Sequence, residues 1–85
     1  MNVFAALADK TRRKILVMLA QQGELSASDI SDRFNVTPPA ISQHLKVLRE
    51  AKVVRIKKQA QRRLYSIDQA GLNEVNDWLA QLKEV

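Results

Sequence analysis

The stretch NVTPPAISQHLKVLRE, residues 35–50, sets two adjacent prolines at the head of a helical apolar period. Proline in the first turn of a helix has no N–H to lose and brings a φ that is already helical, so Pro38 and Pro39 start a helix. Thr37 stands where a cap is needed, and the period runs from Pro38 to Glu50. At about 100° per residue, Ile41, Leu45 and Leu48 form its buried stripe. Pro39, Ser42, Gln43 and Lys46 gather on the opposite side, where no core can use them, with Arg49 and Glu50 further along. Short polar and amide side chains of this kind can approach base edges: glutamine can bond an adenine with two hydrogen bonds, and serine can reach several bases.

Working backwards, SASDISDRF at 26–34 has the Ser26-x-x-Asp29 spacing of a capping box, then Ile30 and Phe34 four residues apart. This predicts a short helix of about two turns. Asn35 tolerates a left-handed residue at its end, and Val36 can plug the corner. Two helices joined by a tight corner, the second with a polar leading face, have the layout of a helix-turn-helix. Further upstream, a helix from Lys10 to about Gln21 carries Ile15, Leu16 and Leu19 on one face, with Asp9 as its cap and Gly23 as its stop. Arg12 projects near that apolar face, which reads first as a structural arginine joining helix to helix and second as a phosphate contact. Val3, Phe4 and Leu7 mark one stripe of a short opening helix.

Downstream of Lys52 the period becomes alternating. VVRIKK and RRLYSI flank QAQ, which predicts a hairpin of two strands over 53–67. Tyr65 and Ile67 lie on its inner face. The last helix begins at Asp68 and spaces Leu72, Val75, Leu79 and Leu82 by three and four, with Trp78 alongside. That is the seam of a helix pair, and on so small a domain it suits a second subunit as well as the chain's own core.

The chain has 85 residues and a formal net charge of +5, placed unevenly. Residues 1–36 hold five basic and four acidic side chains, residues 37–67 eight and one, and residues 68–85 one and four. The middle block favours a polyanion, since neutralising phosphates releases counterions. Arg49, Lys57, Lys58, Arg62 and Arg63 are its candidate phosphate contacts. Thr37, Pro39, Ser42, Gln43 and Lys46 are the candidate base contacts.

With no cysteine, disulfides and thiolate metal sites are impossible. One histidine, two glycines and no phosphate loop leave no nucleophile and base to assemble, so an enzyme is the weakest reading. His44 sits at the edge of the buried stripe and suits a packing or hydrogen-bonding role better than metal ligation. No long apolar run or secretory layout is present, which points to a cytoplasmic protein with no membrane partner. Three readings remain for the basic hairpin and polar helix: a sequence-specific regulator, a protein-interaction module meeting an acidic partner, and a nonspecific architectural DNA binder.

Four blocks, LADKTRRKIL (7–16), ELSASDIS (24–31), PAISQHLKVLREA (39–51) and RRLYSI (62–67), occur in the order seen in ArsR/SmtB-type repressors, and the chain resembles that family over nearly its whole length. The resemblance implies a mainly α fold with a small β-hairpin wing, a winged helix-turn-helix of order α-α-α-α-β-β-α, in one domain over 1–85. It implies a homodimer through the first and last helices, with Val3, Phe4, Leu7, Leu72, Val75, Trp78, Leu79 and Leu82 at the interface. It also implies repression, with two recognition helices on an inverted repeat of double-stranded DNA. Related chains often run beyond the point where this one stops, QLKEV.

Two departures stand out. The cysteine pair of arsenite-type members is replaced by Ser26 and Ser28, and the last helix offers Glu74, Asp77 and Glu84 without the histidine of zinc-type members. No metal or other cofactor is therefore expected. Second, Lys52 and Ala60 stand where members often have glycine, so the helix exit and the wing turn should be more strained or differently shaped.

Overall fold

A computed structural model describes residues 2–84. Its elements run α1 (Val3–Ala6), α2 (Lys10–Gln22), β1 (Leu25–Ser26), α3 (Ala27–Ser31), α4 (Pro38–Glu50), β2 (Val54–Gln59), β3 (Arg62–Ile67) and α5 (Gln69–Lys83). The strands form one antiparallel sheet of order β1-β3-β2. This is the mainly helical winged helix-turn-helix expected, with one strand more than the hairpin alone.

Local chemistry sets each helix start. Asn2, Asp9, Ser26, Thr37 and Asp68 are the N-caps, each accepting a backbone N–H with its side chain. At α3 the box is reciprocal, with Asp29 N–H donating to Ser26 Oγ at 3.1 Å and Ser26 N–H to Asp29 Oδ2 at 3.2 Å. Pro38 and Pro39 occupy the first two helical positions of α4. Gly23 closes α2 with φ of 91°.

The core joins all the helices to the sheet. Ile15 and Leu19 of α2, Ile30 of α3, and Ile41, Leu45 and Leu48 of α4 are buried against Leu25, Val53 and Val54. Each such aliphatic side chain contributes about 1.5–3 kcal/mol on leaving water. Gly71 makes the closest approach. Its N–H donates to Lys52 O at 2.7 Å, and a Cβ built there would lie 2.4 Å from Ala51 O. The start of α5 is thus seated directly on the exit of α4.

Several local expectations need correction. The helix at 27–31 is shorter than two turns, because after Asp32 the chain tightens into i→i+3 bonds, Arg33 N–H to Ile30 O and Phe34 N–H to Ser31 O. Asn35 is not left-handed; among the described residues only Gly23, Lys52 and Ala60 have positive φ. Val36 is 37% exposed and does not plug the corner, while Phe34 packs against the core instead. Val3 is 3% exposed within this single chain: the stripe of α1 is turned so that Val3 and Ala6 face the chain's own core.

The glycine losses are strained as expected, with φ of 61° at Lys52 and 55° at Ala60. Left-handed geometry costs a non-glycine residue about 1–2 kcal/mol, partly offset by the larger entropy that glycine loses on folding. Lys52→Gly and Ala60→Gly are each expected to stabilise by about 0.5–1 kcal/mol. Thermal unfolding at fixed protein concentration should show each midpoint rise by several degrees; a fall at either position contradicts the strained backbone there.

Candidate nucleic-acid interface

Helix α4 divides cleanly between its two sides. Ile41, Leu45 and Leu48 are buried, while Thr37, Pro39, Ser42, Gln43, Lys46 and Arg49 are all exposed. Thr37 also serves the helix, since its Oγ1 accepts Ala40 N–H at 3.3 Å. The exposed side is therefore built by the same period that anchors the helix.

The sheet register decides which wing cations share that side. Val54 pairs with Ile67, Ile56 with Tyr65 and Lys58 with Arg63, without interruption. Directly opposed residues lie on one face of an antiparallel ladder and alternate with the next pair, so these three pairs share a face. The face carries the packed Tyr65, which closes a hollow with Ser42, Lys46, Arg49 and Glu50 of α4. Lys58 and Arg63 extend it towards the wing tip. Arg55, Lys57 and Arg62 lie on the reverse face, where Arg62 Nη2 stands 3.8 Å from Asp29 Oδ2 of α3. The five candidate wing and helix cations thus split: Arg49 lines that hollow, Lys58 and Arg63 share the sheet face of Tyr65, and Lys57 and Arg62 lie on the reverse face.

Lys58 directly opposite Arg63 is an unfavourable pair in isolation. No carboxylate neutralises it among the described residues, since those within 4 Å of a basic side-chain nitrogen are Asp9, beside His44, and Asp29, beside Arg62. An external polyanion would turn this cost into an attraction.

Arg12 is the structural arginine expected. Its Nε donates to Ala6 O at 2.6 Å, Nη2 to Ala5 O at 3.2 Å, and Nη1 reaches His44 Nδ1 at 3.4 Å. That contact makes Nδ1 of His44 an acceptor and ties α4 to α1 through one guanidinium. Asp9 Oδ2 lies 3.9 Å from the same ring nitrogen. The Arg12 N–H held by Asp9 keeps that carboxyl below its ordinary value, with the Arg12 charge adding to the effect. His44 is therefore a half-buried brace behind the exposed side of α4.

Strand β1 escapes sequence reasoning because two residues, Leu25 and Ser26, are too short to show a period. The only hint is that Leu25 is apolar directly before the capping box.

The family model described as "Bacterial regulatory protein, arsR family" matches residues 9–55, more than half of the chain. The chain belongs to the ArsR family. Among curated relatives, the "Transcriptional repressor SdpR" of Bacillus subtilis is 40% identical over 78 residues, covering 92% of this chain and 86% of that protein. The "HTH-type transcriptional regulator Rv2034" of Mycobacterium tuberculosis is 45% identical over 71 residues, covering 84% of this chain and 65% of its own. A solved structure, the "ArsR-like Transcriptional Regulator from Rhodococcus sp. RHA1", superposes with a TM-score of 0.87 at 34% identity, over 96% of this chain and 74% of that one. The ArsR chain is thus a DNA-binding transcriptional regulator and not an enzyme. Among its described residues no helix is long and apolar enough to cross a membrane.

Proposed function

We propose that this ArsR-family chain is a homodimeric repressor in which each α4 enters one of two successive major grooves of an inverted repeat. Ser42, Gln43 and Lys46 read base edges, with Thr37 and Pro39 at the leading end, while Arg49, Lys58 and Arg63 neutralise phosphates. The observation that carries this reading is the shared face: Ser42, Lys46 and Arg49 of α4 line one hollow with Tyr65, and the strand register puts Lys58 and Arg63 on the face of the hairpin that carries Tyr65. Lys57 and Arg62 add positive potential from the reverse face of the wing without aiming at the same groove. The protein works in the cytoplasm, where the DNA is, as one domain over 1–85.

Mobility-shift titration with the chain's own upstream region and a scrambled duplex tests the reading. Gln43→Ala is expected to weaken the true site by about 1–3 kcal/mol and leave the scrambled duplex almost unaffected. Equal losses on both duplexes would remove Gln43 from base reading. Binding that never distinguished the two would instead indicate a nonspecific DNA binder.

The two chains pair through α1 and α5. Phe4 and Trp78 meet edge to face at 5.5 Å between centroids, and Trp78, Leu79 and Leu82 remain exposed, at 47%, 38% and 53%. Leu7, Leu72 and Val75 are half-buried beneath them, packed on the core. Exposed apolar side chains grouped in this way suit a second copy of the same face. Leu79→Glu places a charge in that seam, and sedimentation velocity should then find monomers where the parent chain is a dimer.

No resident metal is needed. Ser26 Oγ is engaged by Asp29 N–H in the capping box, and neither it nor Ser28 offers a thiolate.

A further inference from the structure

The charges of residues 1–36 nearly cancel along the chain but separate in space. Arg12 is held by α1 carbonyls and His44. The other four cations of that segment, Lys10, Arg13, Lys14 and Arg33, all line one hollow of about 610 Å³ on the outer side of α2, and no acidic residue lines it. Arg13 is fixed there by donating from Nη1 to Leu7 O at 2.9 Å. Arg33, whose charge also acts on Asp29, comes from the turn that leads to α4.

The same hollow has apolar walls. Val17 is 56% exposed, more than any other large hydrophobic side chain among the described residues, and Met18 and Phe34 are half-buried beside it. A phosphate backbone would use the cations and gain nothing from Val17 or Phe34. A molecule with a negative head and a hydrocarbon body would use both, and the aliphatic stems of Lys10 and Lys14 extend the apolar wall. The volume falls within the range of small-molecule sites, roughly 300–1,000 Å³.

We propose that this hollow binds an anionic amphiphile, a free carboxylate with a medium-length alkyl chain. The head pairs with the Lys14, Arg13 and Arg33 side of the hollow, and the chain lies along Val17 and Phe34. Such a ligand touches the segment between α3 and α4. The proposal rests neither on dimerisation nor on DNA reading, and its test contains no operator.

Dodecanoate, below its micelle concentration, is titrated into the full chain by calorimetry. Saturable binding of one dodecanoate per chain is expected, with none for acetate, which lacks the tail, or for dodecyltrimethylammonium, which inverts the head. The double variant Lys14→Glu, Arg33→Glu and the separate variant Val17→Ser should each weaken dodecanoate at least tenfold while circular dichroism stays at the parent spectrum. All these side chains except Phe34 and Met18 are exposed, so folding does not depend on them. Equal affinity for the cationic amphiphile, or dodecanoate binding unchanged in both variants, overturns the proposal. So does a random duplex that displaces dodecanoate with an affinity indifferent to Val17→Ser, which would make the hollow a phosphate contact.

Discussion

Gly71→Ala is expected to destabilise the protein by about 2–3 kcal/mol, although alanine is the better helix former by about 1 kcal/mol. The opposition is what makes the result informative. An added methyl at Gly71 would meet Ala51 O at 2.4 Å, Lys52 O at 2.8 Å and Val53 Cγ1 at 2.8 Å. Two of those neighbours are backbone, at the end of a helix whose next residue is already in a left-handed conformation, so neither can step aside cheaply. Helix α5 must lift instead, stretching the Gly71 N–H to Lys52 O bond, worth about 1 kcal/mol, and opening the packing of Leu72. Urea unfolding of parent and variant at one concentration measures the difference. A variant as stable as its parent would mean that α5 does not approach α4 this closely.

The second large effect is on DNA. Lys58→Glu is expected to lower affinity for a duplex on the order of a hundredfold in a two-chain complex. Each chain gives up one charge-assisted hydrogen bond to phosphate, at about 1.5 kcal/mol, so two chains forfeit about 3 kcal/mol, and about 1.4 kcal/mol is tenfold. The same substitution turns the like-charged Lys58–Arg63 pair into an attractive one, so folding stability should hold or rise by a few tenths of a kcal/mol. Arg62→Glu, on the reverse face beside Asp29, should cost much less affinity and should cost some stability. Fluorescence anisotropy across a salt series, paired with thermal unfolding, reads both quantities. Equal losses for the two variants would show that the faces of the wing are not distinguished by the duplex.

Much of the recognition side is legible in the sequence because its determinants are local. Thr37, Pro38 and Pro39 mark a helix start through their own backbone chemistry, and the stripe of Ile41, Leu45 and Leu48 dictates which side is left outward. Lys52 and Ala60 carry no such local mark, and their left-handed corners are legible only through the resemblance, because members of the family often have glycine at those positions. The features that differ from expectation share another origin. Whether Val3 faces the core or a partner, and whether Phe34 or Val36 fills the corner, depends on where distant helices pass. Gly71 gives no local sign that a carbonyl lies against it. The hollow on α2 is half visible: Lys10, Arg13, Lys14 and Val17 recur at i, i+3, i+4 and i+7, a stripe in its own right, but Arg33 joins it only through the fold.

The seating of Gly71 on Lys52 has a mechanical meaning. The helix proposed to hold two copies together is bolted to the tail of the helix proposed to enter the groove, with no slack residue between them. In the proposed dimer, any tilt imposed on α5 by its companion would be delivered at the far end as a change in span between the paired reading heads, gearing the spacing of the half-sites to the angle at which two chains cross.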